Sequence, residues 1–199
     1  MCLANQFFLL KEELNEFDRA VGDGDHGSAL ARGFQAAAEK LTELKPDELP
    51  KIILMTISSE LMSAAGGASG VLFSVFFKEL GRACGGGSHL QASEFSHGLA
   101  ESVDRVAKLG KAEIGDKTML DALQPASVAV SEGKYDSLIA AIEAAALASK
   151  KGAFGTIEMV AKRGRGRYVS NGGTGHIDPG ARSVAYMFEN LKNHVESKL

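Results

Sequence analysis

Apolar residues along this chain recur at intervals of three and four, and the two-residue alternation of a half-buried strand is nearly absent. Phe7, Leu10, Leu14 and Phe17 set the pattern at the start, and Phe95, Leu99, Val103 and Val106 repeat it later. Alanine is abundant, and the 23 glycines are clustered rather than scattered. Small side chains let helices approach closely, and runs of glycine mark the loops between them. The fold class this predicts is all-α. The expected helices cover Leu3–Ala20, Ser28–Leu44, Leu49–Ala65, Val71–Arg82 and Ala92–Leu109. Another starts near Lys117 or Thr118, followed by Tyr135–Lys151 and Ala181–Glu196. Tyr168-Val169-Ser170 is the one short strand candidate, and it sits in a loop. Short connections make consecutive helices antiparallel neighbours. No linker or internal repeat interrupts residues 1–199, which read as a single domain.

Length and charge narrow the function classes. A chain of 199 residues can bury a full hydrophobic core. Its formal net charge is −3, with no basic tail or stripe, so nothing favours nucleic acid, whose phosphates demand a cationic surface. Cys2 and Cys84 lack metal-like spacing, which fits a reducing cytoplasm rather than a disulfide scaffold. The apolar run Phe7 to Leu10 meets Glu12 and Glu13 at once and has no basic leader, unlike a signal peptide. No apolar stretch approaches the ~20 residues of a membrane helix.

The chemistry concentrates at Asp18-Arg19-Ala20-Val21-Gly22-Asp23-Gly24-Asp25-His26-Gly27. Asp18 ends the first helix, and Asp23 and Asp25 share a pliable glycine loop. Carboxylates brought together repel unless a cation neutralises them, and a hard divalent ion such as magnesium takes oxygen ligands. Asp-Gly-Asp is also ordinary turn chemistry. A calcium loop of the EF-hand kind would need a glutamate further downstream, where His26-Gly27 and a helix arrive instead. Gly66-Gly67-Ala68-Ser69-Gly70 separates two helices, and it serves either as a hinge or as a phosphate seat at a helix N-terminus. Near the end, Asp178 and Pro179 suit the N-cap and first position of the last helix. Lys162, Arg163 and Arg165 are either a solvated patch or cations for a phosphate. Walker A, dinucleotide and protein-kinase signatures are missing, so a nucleotide site here is of another type.

These segments, taken in order, resemble the L subunit of dihydroxyacetone kinases. The matching stretches are Leu14 to Asp18 running into Gly22 to Gly27, then Gly66 to Gly70 with Phe76-Phe77, Gly110 to Glu113, Gly115 to Leu123, and Gly164-Arg165 through Gly175-His176 to Ala181. The resemblance spans essentially the whole chain. It implies an eight-helix antiparallel barrel with ATP or ADP at one end. Asp18, Asp23 and Asp25 would bind a pair of Mg²⁺ bridging the phosphates, and through them act in catalysis. His26, Gly27, Ser28 and Ala29, with Ala68, Ser69 and Gly70, would line the phosphates. Gly110, Met119, Arg165, Asp178, Pro179 and Gly180 fall near the nucleoside and its sugar. Two departures stand out: Ala29 replaces a frequent Asn, and Ser170 to Thr174 replaces the usual Gly-Glu-Arg-Ser.

The resemblance also implies a partner, a K-type subunit holding dihydroxyacetone. The phosphoryl source is either exchanging ATP or a phosphotransferase-system protein that recharges a trapped ADP. Other readings are a kinase subunit for another short ketose or a fatty-acid-kinase-like substrate, and a non-catalytic module that holds ADP with magnesium.

Overall fold

The computed structural model describes residues 2–197. Nine α-helices occur among them and no strand: α1 (Cys2–Leu9), α2 (Lys11–Val21), α3 (His26–Leu41), α4 (Pro50–Glu60), α5 (Gly67–Ala83), α6 (Ala92–Gly110), α7 (Leu120–Gly133), α8 (Leu138–Gly155) and α9 (Pro179–Glu196). Each helix packs on the next, and α9 returns to α1 and α2, which closes the ring. With α1 and α2 in line as one stave, this is the expected eight-element antiparallel barrel. No helix among the described residues is long and apolar enough to cross a membrane.

Local chemistry sets the helix ends. Pro50 and Pro179 occupy first-turn positions, where their missing N–H costs nothing. Gln91 and Glu94 form a capping box at the start of α6. Lys111 and Lys134 end α6 and α7 in the left-handed conformation.

Beyond shifts of up to four residues at several helix ends, the expected elements differ in three places. The first helix breaks at Leu10, although Leu10 and Leu14 keep their amide bonds to the fourth residue before. The helix expected to end at Ala65 does end there, but its last turn, Leu61–Ala65, is a π-helix. The Ala65 carbonyl, at the helix end where no intrahelical donor follows, accepts from Arg32 Nη2 at 3.0 Å. Third, the glycine segment Gly66 to Gly70 is mostly not a loop. Gly66 (φ 74°) and Gly67 (φ 63°) turn the chain, and α5 starts at Gly67.

The barrel is filled by Phe7, Phe34, Phe73, Phe76, Phe77, Phe95 and Phe188, all buried. Phe7 stacks on Phe34 at 4.5 Å, and the others meet edge to face, from Phe76–Phe77 at 5.2 Å to Phe34–Phe73 at 6.5 Å. α7 and α8 pack on each other, and Ala122 and Ala126 of one and Ala141 and Ala145 of the other are fully buried. Pro125 lies inside α7 and has no N–H, so the Asp121 carbonyl four residues before it has no helical donor. The backbone of α8 closes over that carbonyl at Gly152, where an added Cβ would lie 2.0 Å from the Asp121 oxygen.

Gly152→Ala is therefore expected to destabilise the protein by roughly 1–3 kcal/mol through overpacking. Gly155→Ala, one turn further along an exposed and open stretch of the same helix, should be neutral or gain up to about 1 kcal/mol. Chemical denaturation of the two variants measures both.

Candidate functional site

Antiparallel order brings the ends of α2, the π-turn, α6 and α8 together with the starts of α3, α5, α7 and α9. A cavity of ≈ 330 Å³ opens among them. Three of the four helix starts are closed by side-chain oxygens. Asp18 accepts from the His26 amide at 3.2 Å, Thr118 Oγ1 from Leu120 at 3.2 Å, and Asp178 from Ala181 at 2.7 Å. α5 begins at Gly66 without a side-chain cap, and a Cβ at Gly66 or Gly67 would meet nothing within 4 Å. The first amides of a helix lack intrahelical acceptors, so this start is an open seat for an anion.

Asp18, buried in the last turn of α2, organises the neighbouring loop. Its Oδ2 also accepts from the amides of Gly24 at 2.9 Å and Asp25 at 3.0 Å. The loop closes so tightly that a Cβ at Gly22 would lie 2.2 Å from Asp18 Oδ1, and Gly24 takes φ +79°. One oxygen from each of Asp18, Asp23 and Asp25 falls within 4.8 Å of the others, a spacing that could hold a metal ion. Three acidic oxygens on a half-open rim suit a hard divalent cation rather than a soft one. Arg165 forms an ion pair with Asp23.

His26 is buried behind this loop. Its Nδ1 meets Ser69 Oγ and its Nε2 meets Ser183 Oγ, each at 2.8 Å, tying α3 to α5 and α9. Burial lowers its pKa to about 4, against weaker opposition from Asp25 and the Pro179 backbone, so the imidazole is neutral. It positions Ser69.

Asp178 lies in the cavity wall, where desolvation pushes its carboxyl up to about 7. The Ala181 amide opposes that rise, Asp121 and Asp18 add to it, and Lys117 counters it. Lys117 is buried with φ +61°, and its ammonium donates to the carbonyls of Thr156 and His176, each at 2.5 Å. Desolvation lowers its pKa, although the charges of Asp178, Asp121 and Glu158 work the other way. Burial also works against the Asp116 carboxylate, but the Glu113 amide with Lys162 and Arg163 outweighs it and holds its pKa low.

The cavity takes in Asp18, Asp23, Asp25, His26 and Ala29 from the first motif and Ala68 and Ser69 from the second. Gly110, Met119, Arg165, Asp178, Pro179 and Gly180 line it as well. Gly27, Ser28 and Gly70 stand outside it. Gly27 lets α3 approach the Lys11 carbonyl, Ser28 bonds Asn15, and Gly70 packs on Leu61 and Ala65. Lys117, Thr118 and Arg163 line the cavity too, as do Leu72, Phe73 and Val106 from the barrel core. Lys117 and Thr118 lie in the stretch that carried the resemblance, but no local pattern marks that lysine as buried. Nothing in the sequence signals Ser183, which meets His26 from 157 residues away.

Fold and cavity together define an all-helical barrel domain with an acidic, glycine-lined pocket at one end. The chain belongs to the DAK2 domain family, whose sequence model matches residues 20–193. It is 38% identical to the protein named PEP-dependent dihydroxyacetone kinase, ADP-binding subunit DhaL, of Escherichia coli, over 90% of this chain and 86% of that one. A second protein of that name from Listeria innocua, numbered 2, is 34% identical, over 93% and 88% of the two chains. Among solved structures, the dihydroxyacetone kinase from C. freundii in complex with AMP-PNP and Mg²⁺ superposes with a TM-score of 0.71 at 30% identity. That match covers 97% of this chain and 32% of the larger kinase.

His26 and Asp178 make opposite contributions to stability against pH. The folded pKa of His26 lies below the unfolded value of 6.5, so its contribution is present above 6.5 and lost as pH falls toward 4, on the order of 3 kcal/mol. The folded pKa of Asp178 lies above 3.8, so its contribution is present below 3.8 and lost as pH rises through 7. Asp178→Asn keeps a helix-capping oxygen and removes the opposing contribution. Its unfolding free energy, measured by denaturant titration, is expected to fall more steeply between pH 6.5 and 4 than that of the parent.

Proposed function

We propose that this chain is the nucleotide-binding subunit of a dihydroxyacetone-type kinase, acting as a single domain beside a separate K-type ketose-binding subunit. The observation that carries the reading is the pairing of an uncapped helix start with a three-carboxylate cluster on one cavity. A polyphosphate with a divalent cation meets both needs: anionic oxygens for the amides of Gly67 to Ser69, and a positive charge for the aspartates.

Asp18, Asp23 and Asp25 would hold the magnesium, which when bound neutralises phosphate charge; the family resemblance implies a pair of ions. The start of α5 secures phosphate oxygens, and His26 holds Ser69 at that seat. Arg163 and Arg165 bring further cations to the cavity. Leu72, Phe73, Val106 and Met119 supply an apolar wall for a base, and Asp178 to Gly180 border the sugar. Transfer of a phosphoryl group rests on positioning and charge stabilisation more than on covalent chemistry by side chains. The protein's groups serve that positioning, and the acceptor hydroxyl comes from the partner. The bacterial relatives are named as PEP-dependent and ADP-binding, which favours recharging of a bound ADP over free exchange of ATP.

ADP with Mg²⁺ is expected to raise the melting temperature, since a ligand that binds only the folded state stabilises it, and EDTA should reverse the gain. Asp25→Asn should lose the ligand-induced shift while keeping the helical circular dichroism. The chain alone should not phosphorylate dihydroxyacetone, and adding a K-type subunit with a phosphoryl donor should start turnover. Robust turnover by the chain alone, or melting indifferent to Mg–ADP, would sink the reading.

A further inference from the structure

The ion pair between Arg165 and Asp23 joins a candidate metal ligand to a different part of the chain, the segment between α8 and α9. Among the described residues it is the one salt bridge that reaches Asp18, Asp23 or Asp25. The segment bearing Arg165 is fastened on both sides. Before it, Lys162 and Arg163 reach the buried Asp116 carboxylate at 3.5 and 3.3 Å, and the Lys162 amide donates to the Asp116 carbonyl at 3.1 Å. Gly164 turns the backbone at φ +62°. After it, Gly166 is buried, and a Cβ there would lie 2.9 Å from Ala161 Cβ and 3.5 Å from the Val21 carbonyl at the end of α2. The backbone at residue 165 is therefore held beside the aspartate loop, while the Arg165 side chain is 67% exposed. A seated backbone with an exposed guanidinium can change partners without rebuilding the loop.

Three clustered carboxylates repel one another when no cation is present. We propose that Arg165 is a built-in counter-ion for this cluster: it must leave Asp23 before a divalent cation can use all three carboxylates, and a nucleotide's phosphates draw it away. The inference rests on the nucleotide reading above and adds to it a coupling between metal and nucleotide. Arg165 opposes a cation that arrives alone, because both compete for Asp23. Phosphate oxygens offer the guanidinium a bidentate, charge-assisted partner in the same cavity. Binding of one ligand thus favours the other, and the coupling is reciprocal.

The probe is Mn²⁺, whose free concentration is read by electron paramagnetic resonance, with the full chain and its Arg165→Gln and Arg165→Lys variants. Circular dichroism confirms that the variants fold. An exposed ion pair is worth little, so Arg165→Gln should bind Mn²⁺ alone only about 1.5- to 5-fold more tightly than the parent. With Mn²⁺ saturating, the same variant should bind ADP roughly tenfold or more weakly, because a charged hydrogen bond to phosphate is lost. Arg165→Lys retains the charge, so its affinity for Mn²⁺ alone should stay closer to the parent's than that of Arg165→Gln. Equal or weaker Mn²⁺ binding in Arg165→Gln, unchanged ADP binding in it, or an equal shift in Arg165→Lys would each overturn the counter-ion role. A parent chain that binds no ADP at saturating Mn²⁺ would instead overturn the nucleotide reading, and this inference with it.

Discussion

One carboxylate does most to shape the cavity end of this barrel. Asp18 Oδ2 gathers the amides of Gly24, Asp25 and His26, and that curl brings Asp23 and Asp25 back toward the helix they follow. Its other oxygen, Oδ1, accepts no hydrogen bond among the described residues and stays beside Gly22. The arrangement stabilises the loop with hydrogen bonds to a charged group while concentrating negative charge. Clustered negative charges repel unless a cation offsets them, and Arg165 brings one from the neighbouring segment between α8 and α9.

The same end of the barrel separates positive from negative seats without many basic residues. Helix ends alternate around an antiparallel ring, so their dipoles largely cancel, and local capping decides where an anion is favoured. Asp18, Thr118 and Asp178 occupy the starts of α3, α7 and α9, which leaves α5 open. Buried polar side chains then fix the relative positions of the helices. His26 spans Ser69 and Ser183, and Lys117 spans Thr156 and His176. Each is costly to bury unless its hydrogen bonds are made, so each favours a single arrangement of the ends.

Much of this was legible before any coordinates. Helical periodicity located the staves, because a helix on a core must repeat its apolar face about every 3.6 residues. Asp-Gly-Asp marked the loop that carries the carboxylates, since short side chains and positive φ leave a local signature. The break at Leu10 was hidden because α1 and α2 share one apolar stripe across it. The π-turn at Leu61 to Ala65 was equally silent, since the close approach of Gly33 and Gly70 to it is made only in the folded chain. The segment Gly66 to Gly70 looked like a loop because glycine disfavours helix. In the structure it opens α5, with Gly70 lying against Leu61 and Ala65.

The sequence alone determined the elements and the chemical inventory: an all-helical chain, three closely spaced aspartates, and glycines where backbone must be bare. Those properties depend on neighbours within a few residues, where side-chain spacing and backbone preference act directly. Only the tertiary structure decided how the inventory is used. It buried His26 as a neutral link, enclosed Lys117, aimed Arg165 at Asp23 and left α5 uncapped. These outcomes join residues 39 to 157 positions apart. They arise when the ring closes and removes the groups from water, because burial changes both the charge state and the hydrogen bonds such groups can keep.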